Sequence, residues 1–174
     1  MFDPIVLGVD PGLASVGLAV VAKGRPRRRV LWAGTIRTPA GSDEAERLRR
    51  VADAVRSTIA EHAPTSVALE RVMWGQNRTS ALSVARATGV IMLAAAEAGI
   101  PVEEYAPLEV KMAVTGIGNA DKDEVRRALV RAHRVEAIPD QRDAADAVAV
   151  AVCHLHQAGL RRAARTAGVD VVRA

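Results

Sequence analysis

The chain has a single cysteine, Cys153, in 174 residues, so no intrachain disulfide can hold it together. Cys153 lies in an apolar helical run and reads as a buried packing residue. Aromatic residues are nearly absent: two Trp, one Tyr and one Phe. The core must therefore be built from Val, Leu, Ile and Ala, with helices packed through small side chains. Lysine is confined to Lys23, Lys111 and Lys122, which leaves arginine to carry the rest of the positive charge. No apolar run reaches the length of a membrane span, and no charged-then-apolar leader precedes the first strand. The expectation is a protein with no membrane contact, working in the cytoplasm.

Apolar residues make up 49% of the chain, enough for a real core in one domain of this length. Lys plus Arg number 24 against 20 for Asp plus Glu, a net charge of +4 and a pI near 10.0. This permits a polyanionic partner without requiring one. If several acids gather in one site, the remaining surface is more basic than the net charge suggests.

Residues 5–10 form a short apolar run that ends in a carboxylate, Asp10, and is broken by Pro11-Gly12. The run reads as a strand buried on both faces. Gly8 points to the same side as Asp10, which suggests open space beside the carboxylate for metal and phosphate. Residues 16–21 and 30–37 read as strands two and three of an antiparallel meander, and Gly17 allows a close approach. The intervening 25–29, Arg-Pro-Arg-Arg-Arg, reads as a solvated hairpin tip, with non-specific DNA contact as the alternative. A helix follows from a candidate N-cap at Ser42 to about residue 62. A fourth strand, 67–70, again ends in a carboxylate, Glu70.

A small-residue helix at 79–98 is a candidate dimer interface, although the same face could pack on its own sheet. A fifth strand at 101–104 and a short helix at 107–114 come next. The Gly116-Ile117-Gly118 segment lacks the pattern of a nucleotide loop and reads as a mobile loop placing Lys122. A helix opens with the capping-box pair Asp121 and Glu124, and the last main helix covers 143–156. The order implies an α/β fold: a mixed five-stranded sheet flanked by helices on both faces. Residues 1–158 form one domain, and 159–174 form a C-terminal tail that need not be ordered. If strand four lies beside strand one, Glu70 comes next to Asp10.

Asp143 and Asp146 stand three apart, on one helix face, where like charges repel by a few tenths of a kcal/mol. The helix dipole accounts for Asp143 better than for Asp146. A divalent cation accounts for both, because hard cations take carboxylate oxygens and leave room for substrate phosphates. Two cations about 4 Å apart, held by carboxylates from separate elements, are suited to phosphodiester hydrolysis. Other residues have plainer readings. His154 and His156 point in different directions and make poor ligand partners. His62 and His133 lie near helix ends, where His partners the dipole.

These segments resemble the RuvC family of bacterial Holliday-junction resolvases, in the ribonuclease-H-like superfamily. The resemblance rests on Leu7-Gly8-Val9-Asp10-Pro11-Gly12, Leu69-Glu70-Arg71-Val72, Ser80-Ala81-Leu82, Val110-Lys111 with Val114-Thr115-Gly116, and Asp143-Ala144-Ala145-Asp146-Ala147. They occur in the family's order over about residues 5–156. The resemblance implies a homodimeric, structure-selective endonuclease that cuts four-way DNA junctions symmetrically and leaves 5′-phosphate ends. It implies two Mg²⁺ or Mn²⁺ ions per active site and work beside a branch-migration complex, RuvA and RuvB. Carried over, Asp10, Glu70, Asp143 and Asp146 are catalytic metal ligands, and Lys111 and Lys122 bind DNA phosphates or assist near the scissile bond. Where the family often places a wedging Phe, this chain has Met73, followed by Trp74, the better stacking surface. Asn77, Arg78 and Arg86 are further candidates for phosphate contact, each with a solvated helix face as the alternative. Three rivals stay open: an actin-like or sugar-kinase ATPase, whose first phosphate loop follows a similar strand, a non-catalytic DNA-binding module, and an RNA-processing nuclease of the same superfamily.

Overall fold

The computed structural model describes residues 4–24, 26–72 and 78–166, and of 78–80 and 158–166 the backbone alone. Six strands form one sheet in the order β5-β4-β1-β2-β3-β6. β1 (Ile5–Asp10), β2 (Ser15–Ala22) and β3 (Arg28–Arg37) make the antiparallel meander. β4 (Ser66–Glu70) pairs parallel with β1, and β5 (Val102–Tyr105) with β4. α1 (Glu44–His62) and α2 (Arg78–Glu97) cover one face. α3 (Pro107–Thr115), α4 (Lys122–Arg131) and α5 (Arg142–Thr166) cover the other.

Strand alternation divides the core cleanly. Leu7, Val9, Val16, Leu18, Val20, Val67 and Leu69 face Val51, Val55 and Ile59 of α1 and Ile91, Ala94 and Ala95 of α2. Each such Leu, Ile or Val contributes about 1.5–3 kcal/mol on full burial. Val6, Ala19, Val21 and Ala68 face α5, whose Ala147, Val148, Ala151 and Val152 are fully or almost fully buried. Asp10, Gly8, Gly17 and Glu70 share the parity of this second set. Cys153 is buried, as expected of a packing residue. Among the described residues no helix is long and apolar enough to cross a membrane.

The structure corrects several expectations, beginning with α5, which continues to Thr166 instead of ending near residue 156 and so takes in half of the segment expected as a tail. The sheet has six strands rather than five: β6 (Val135–Glu136) pairs parallel with Arg28 and Arg29. Two residues are too short for any periodicity. They sit between Arg134 and Ala137, which take left-handed φ of 52° and 53° without glycine. The N-cap of α1 is Asp43, not Ser42; its carboxylate accepts from the Ala45 amide at 3.0 Å. In the segment expected to be a solvated tip, Arg25 lies outside the described residues and Pro26, Arg27 and Arg29 are exposed, but Arg28 departs from the expectation. It opens β3, is half-buried, and donates through Nη1 to the His133 carbonyl at 2.7 Å. His133 is buried and bonds the Val114 carbonyl in the last turn of α3 through Nε2, at 2.8 Å. It therefore serves α3 rather than its own helix end, and burial lowers its pKa. The capping box at Asp121 and Glu124 stands as expected.

Candidate active site

Asp10 closes β1 and Glu70 closes β4, neighbouring parallel strands whose register pairs Val9 with Leu69. The two carboxylates therefore emerge side by side on the face that carries α5. On its other flank Asp10 pairs with Gly17 of β2. A Cβ on Gly17 would stand 1.9 Å from the Asp143 carbonyl oxygen, and one on Gly8 2.1 Å from that of Ala147. Only hydrogen fits at either position. α5 consequently lies directly on the sheet, and its first turns deliver Asp143 and Asp146 to the ends of β1 and β4. Gly8 does not leave open space for metal and phosphate, as its position in the sequence suggested. The helix fills that space, and the glycine is what admits it. Gly17 provides the close approach expected of it.

The electrostatics record how tightly the acids are gathered. Asp10 is pushed up to about 8, first by burial, then by the charges of Glu70 and Asp146, its hydrogen bond to Glu70 and the charge of Asp143. Glu70 is also raised, chiefly by burial, against the opposing effects of its bond to Asp10 and of Lys122 and Lys111. A proton held by Asp10 and donated to Glu70 thus offsets part of the repulsion. Asp143 accepts a hydrogen bond from the Ser15 hydroxyl. Asp146 accepts from Lys122 Nζ at 2.5 Å.

Among the described residues, no three Asp, Glu, His or Cys side chains already close around a common point. The donor chemistry nevertheless fits a hard divalent cation. All four groups offer oxygen only, and their excess negative charge is offset by a proton and a lysine that a cation could replace. Beside the acids a cleft of about 150 Å³ opens between Glu70, Asp146, Lys111 and Lys122, floored by Val110, Val125 and Ala149. Both lysines expected at the site therefore line it.

Ser15 went unnoticed in the sequence; its only signal there is its place at a strand start, two residues before Gly17. His154 and His156 are both engaged inside the fold. His154 bonds Tyr105 Oη through Nδ1 at 2.8 Å and Ser66 Oγ through Nε2 at 3.0 Å, tying α5 to β4 and β5. His156 packs edge-on against His133. Arg86 pairs with Glu44 of α1. Met73, Trp74 and Asn77 lie outside the described residues, and Arg78 is placed only as the first residue of α2.

A family model described as "Crossover junction endodeoxyribonuclease RuvC" matches residues 6–154. The protein of that name from Moorella thermoacetica is 45% identical over 150 residues, covering 86% of this chain and 90% of its own. That from Corynebacterium efficiens is 41% identical over 167 residues, covering 95% of this chain and 75% of its own. Among solved structures, Thermus thermophilus RuvC in complex with a Holliday junction substrate superposes with a TM-score of 0.84 at 34% identity, over 90% of this chain and 96% of that one. The yeast mitochondrial Holliday junction resolvase Ydc2 shares the fold, with a TM-score of 0.70 at 11% identity over 95% of this chain and 85% of that one.

Proposed function

Because the chain belongs to the RuvC family of crossover junction endodeoxyribonucleases, we propose that it resolves four-way DNA junctions by paired symmetric nicks, in homologous recombination and repair. The observation that carries this reading is the gathering of Asp10, Glu70, Asp143 and Asp146 beside a cleft edged by Lys111 and Lys122. These four acids are the groups that would hold Mg²⁺ or Mn²⁺, two ions per site. When bound, the ions stabilise the attacking and leaving oxygens of phosphodiester hydrolysis, which ends in 5′-phosphate and 3′-hydroxyl groups. Asp10 and Glu70 sit on rigid strand ends and so fix the position of the charge. Ser15 orients Asp143. Lys122, with 63% of its side chain exposed, can exchange Asp146 for a DNA phosphate, and Lys111, which lines the same cleft, can bind another.

Paired nicks need two sites related by a two-fold axis, as in a homodimer. α2 supports that assembly: its outer face carries exposed Leu82, Met92 and Leu93, and among the described residues the space beside Gly89 is open. Met73 and Trp74 follow Glu70 by three and four positions in the sequence, which supports reading them as the candidate wedge, with Asn77 and Arg78 as further candidates for DNA contact. A branch-migration complex of RuvA and RuvB, working with the chromosome in the cytoplasm, is the partner this reading implies. The test is cleavage of four-way, duplex and single-stranded DNA with and without Mg²⁺. Symmetric nicks confined to the junction and to the metal-containing reaction are expected. Equal cutting of duplex, or cutting in EDTA, would refute the reading.

A further inference from the structure

Outside the catalytic cleft, an arginine-rich feature stands on the outer side of α4 and the corner that follows it. Two depressions meet there. One, of about 440 Å³, lies between the turn at Pro26 and Arg27 and the corner at Arg134, Val135 and Glu136. The other, of about 310 Å³, is lined by Asp123, Arg126, Arg127 and Arg131. They share Val130, which is 51% exposed. Five arginines against two carboxylates line the combined groove, around an apolar floor.

The arginines differ in how far they are committed. Arg126 is occupied by the carbonyls of Ile138 and Pro139 and by Asp140. Arg27 reaches Glu136 only at 3.5 Å, with both side chains well exposed. Arg127, Arg131 and Arg134 are exposed and make no ion pair among the described residues. Arg127 and Arg131 are one helical turn apart and so share a face. The arrangement of spaced guanidinium groups around an apolar patch matches a nucleic-acid strand, which alternates phosphate with the apolar edge of a sugar. Guanidinium is also the cation best suited to phosphate.

The groove also lies on the helix that begins at the cleft. α4 begins at Lys122, which is bonded to Asp146. At a rise of 1.5 Å per residue, Arg131 lies about 13 Å along the axis from Lys122. That is the length of about four nucleotides of one strand in a duplex, at 3.4 Å each. We propose that this groove is a second phosphodiester-backbone site, in which Arg127, Arg131 and Arg134 grip a duplex arm about four nucleotides from the scissile phosphate. The proposal rests on the junction-cutting reading above and adds a surface that the reading does not need.

The test compares wild type with the triple variants Arg127→Gln/Arg131→Gln/Arg134→Gln and Arg127→Lys/Arg131→Lys/Arg134→Lys. Junction affinity is measured in EDTA from 50 to 200 mM KCl, and the rate of cutting at saturating junction is measured with Mg²⁺. The Gln variant should bind about tenfold more weakly at 100 mM salt, with a log–log salt slope shallower by about 2 to 3. Its rate at saturation should equal that of wild type. The Lys variant should keep the wild-type slope. An unchanged slope in the Gln variant overturns the proposal, as it would if an acidic polypeptide docked there instead. So does a Lys variant as weak as the Gln variant, which would make the effect one of folding. A wild type that neither binds nor cuts junctions would refute the function itself, and the groove with it.

Discussion

On the side of the sheet that carries α1 and α2, the central strands present Leu7, Val9, Val16, Leu18, Val20, Val67 and Leu69. On the side that carries α5, the same strands present Gly8, Gly17, Ala19 and Ala68 between Val6 and Val21. The first side is a conventional core, in which bulky side chains keep the helices at a distance and most of the stabilisation is apolar area removed from water. The second gives up that area at its centre. It brings a helix backbone into direct contact with the strands, and the acids of β1, β4 and α5 meet where the contact is closest. The difference explains why the site is found on one face only. Four carboxylates on three elements can be held together against their repulsion only where the elements cannot drift apart, and a backbone-on-backbone contact has less play than interlocked side chains.

The strongest way to sharpen this contrast is to remove charge from the α5 side. Asp10→Asn should reduce cleavage by about 10²–10³-fold or more, on the scale of losing one main electrostatic group, while junction binding persists. Near-normal cutting would remove Asp10 from the site. The same variant reports on pH. Asp10 ionises at about 3.9 in an unfolded chain and at about 8 in the folded protein. Between those values the folded state holds a proton that the unfolded state does not. The associated stability is therefore fully present below the lower value and is lost as pH rises through the upper one. Glu70, also raised, acts in the same direction. The lowered pKa of buried His133 acts oppositely, but only below its ordinary value near 6.5, so the window from pH 7 to 9 isolates the acids. Metal-free wild type should lose thermal stability across that window, and Asp10→Asn should lose much less. Parallel melting curves for the two proteins would contradict the assignment.

Adding a methyl group on the α5 side and removing a methylene on the other tests the packing half of the comparison. Gly17→Ala places a Cβ against the Asp143 backbone, which no side-chain rotation can relieve. It should cost at least about 1–3 kcal/mol, or about 2–4 °C of Tm per kcal/mol for a chain of this size, and should impair cleavage beyond that loss. On the opposite side Ile91 is fully buried. Ile91→Val removes a methylene for about 0.5–1.5 kcal/mol and should leave cleavage at saturating metal unchanged. If the two variants affected cutting equally per unit of lost stability, the close α5 contact would have no special bearing on the site.

Much of this arrangement is legible in the sequence, because it rests on short-range rules. Branched apolar runs ending in Asp10 and Glu70 mark buried strands, and the spacing of Asp143 and Asp146 puts them on one helix face. Once β1 and β4 are neighbours, strand parity alone brings the two strand-end acids together. The features that escaped depend on where distant segments pack. Gly8 looks like an opening until α5 is laid over it. Asp43 and Ser42 are both good capping residues, and only the path of the chain into α1 chooses between them. β6 is set by its pairing with Arg28 and Arg29, and the same corner turns Arg28 from a surface charge into a clamp on the His133 carbonyl.

Ser15 is the most remote case, since its hydroxyl meets a carboxylate 128 residues away. It also provides the finest test of the comparison. Gly12 and Gly17 bracket it in backbone too tight for a Cβ at either one, so the hydroxyl is carried to Asp143 by the same close contact that positions α5. By holding one carboxylate oxygen, it leaves the other aimed and unencumbered, which is how outer hydrogen bonds raise the affinity of metal ligands by about 10–100-fold. Ser15→Ala should therefore raise the Mg²⁺ concentration needed for half-maximal cleavage, and for half-maximal thermal stabilisation, by about tenfold. Ser15→Thr keeps the hydroxyl and should stay close to wild type, and junction affinity in EDTA should be the same in all three proteins. An unchanged Mg²⁺ requirement in Ser15→Ala would mean that contact between α5 and the sheet is enough to orient Asp143. The site would then owe its order to backbone packing alone.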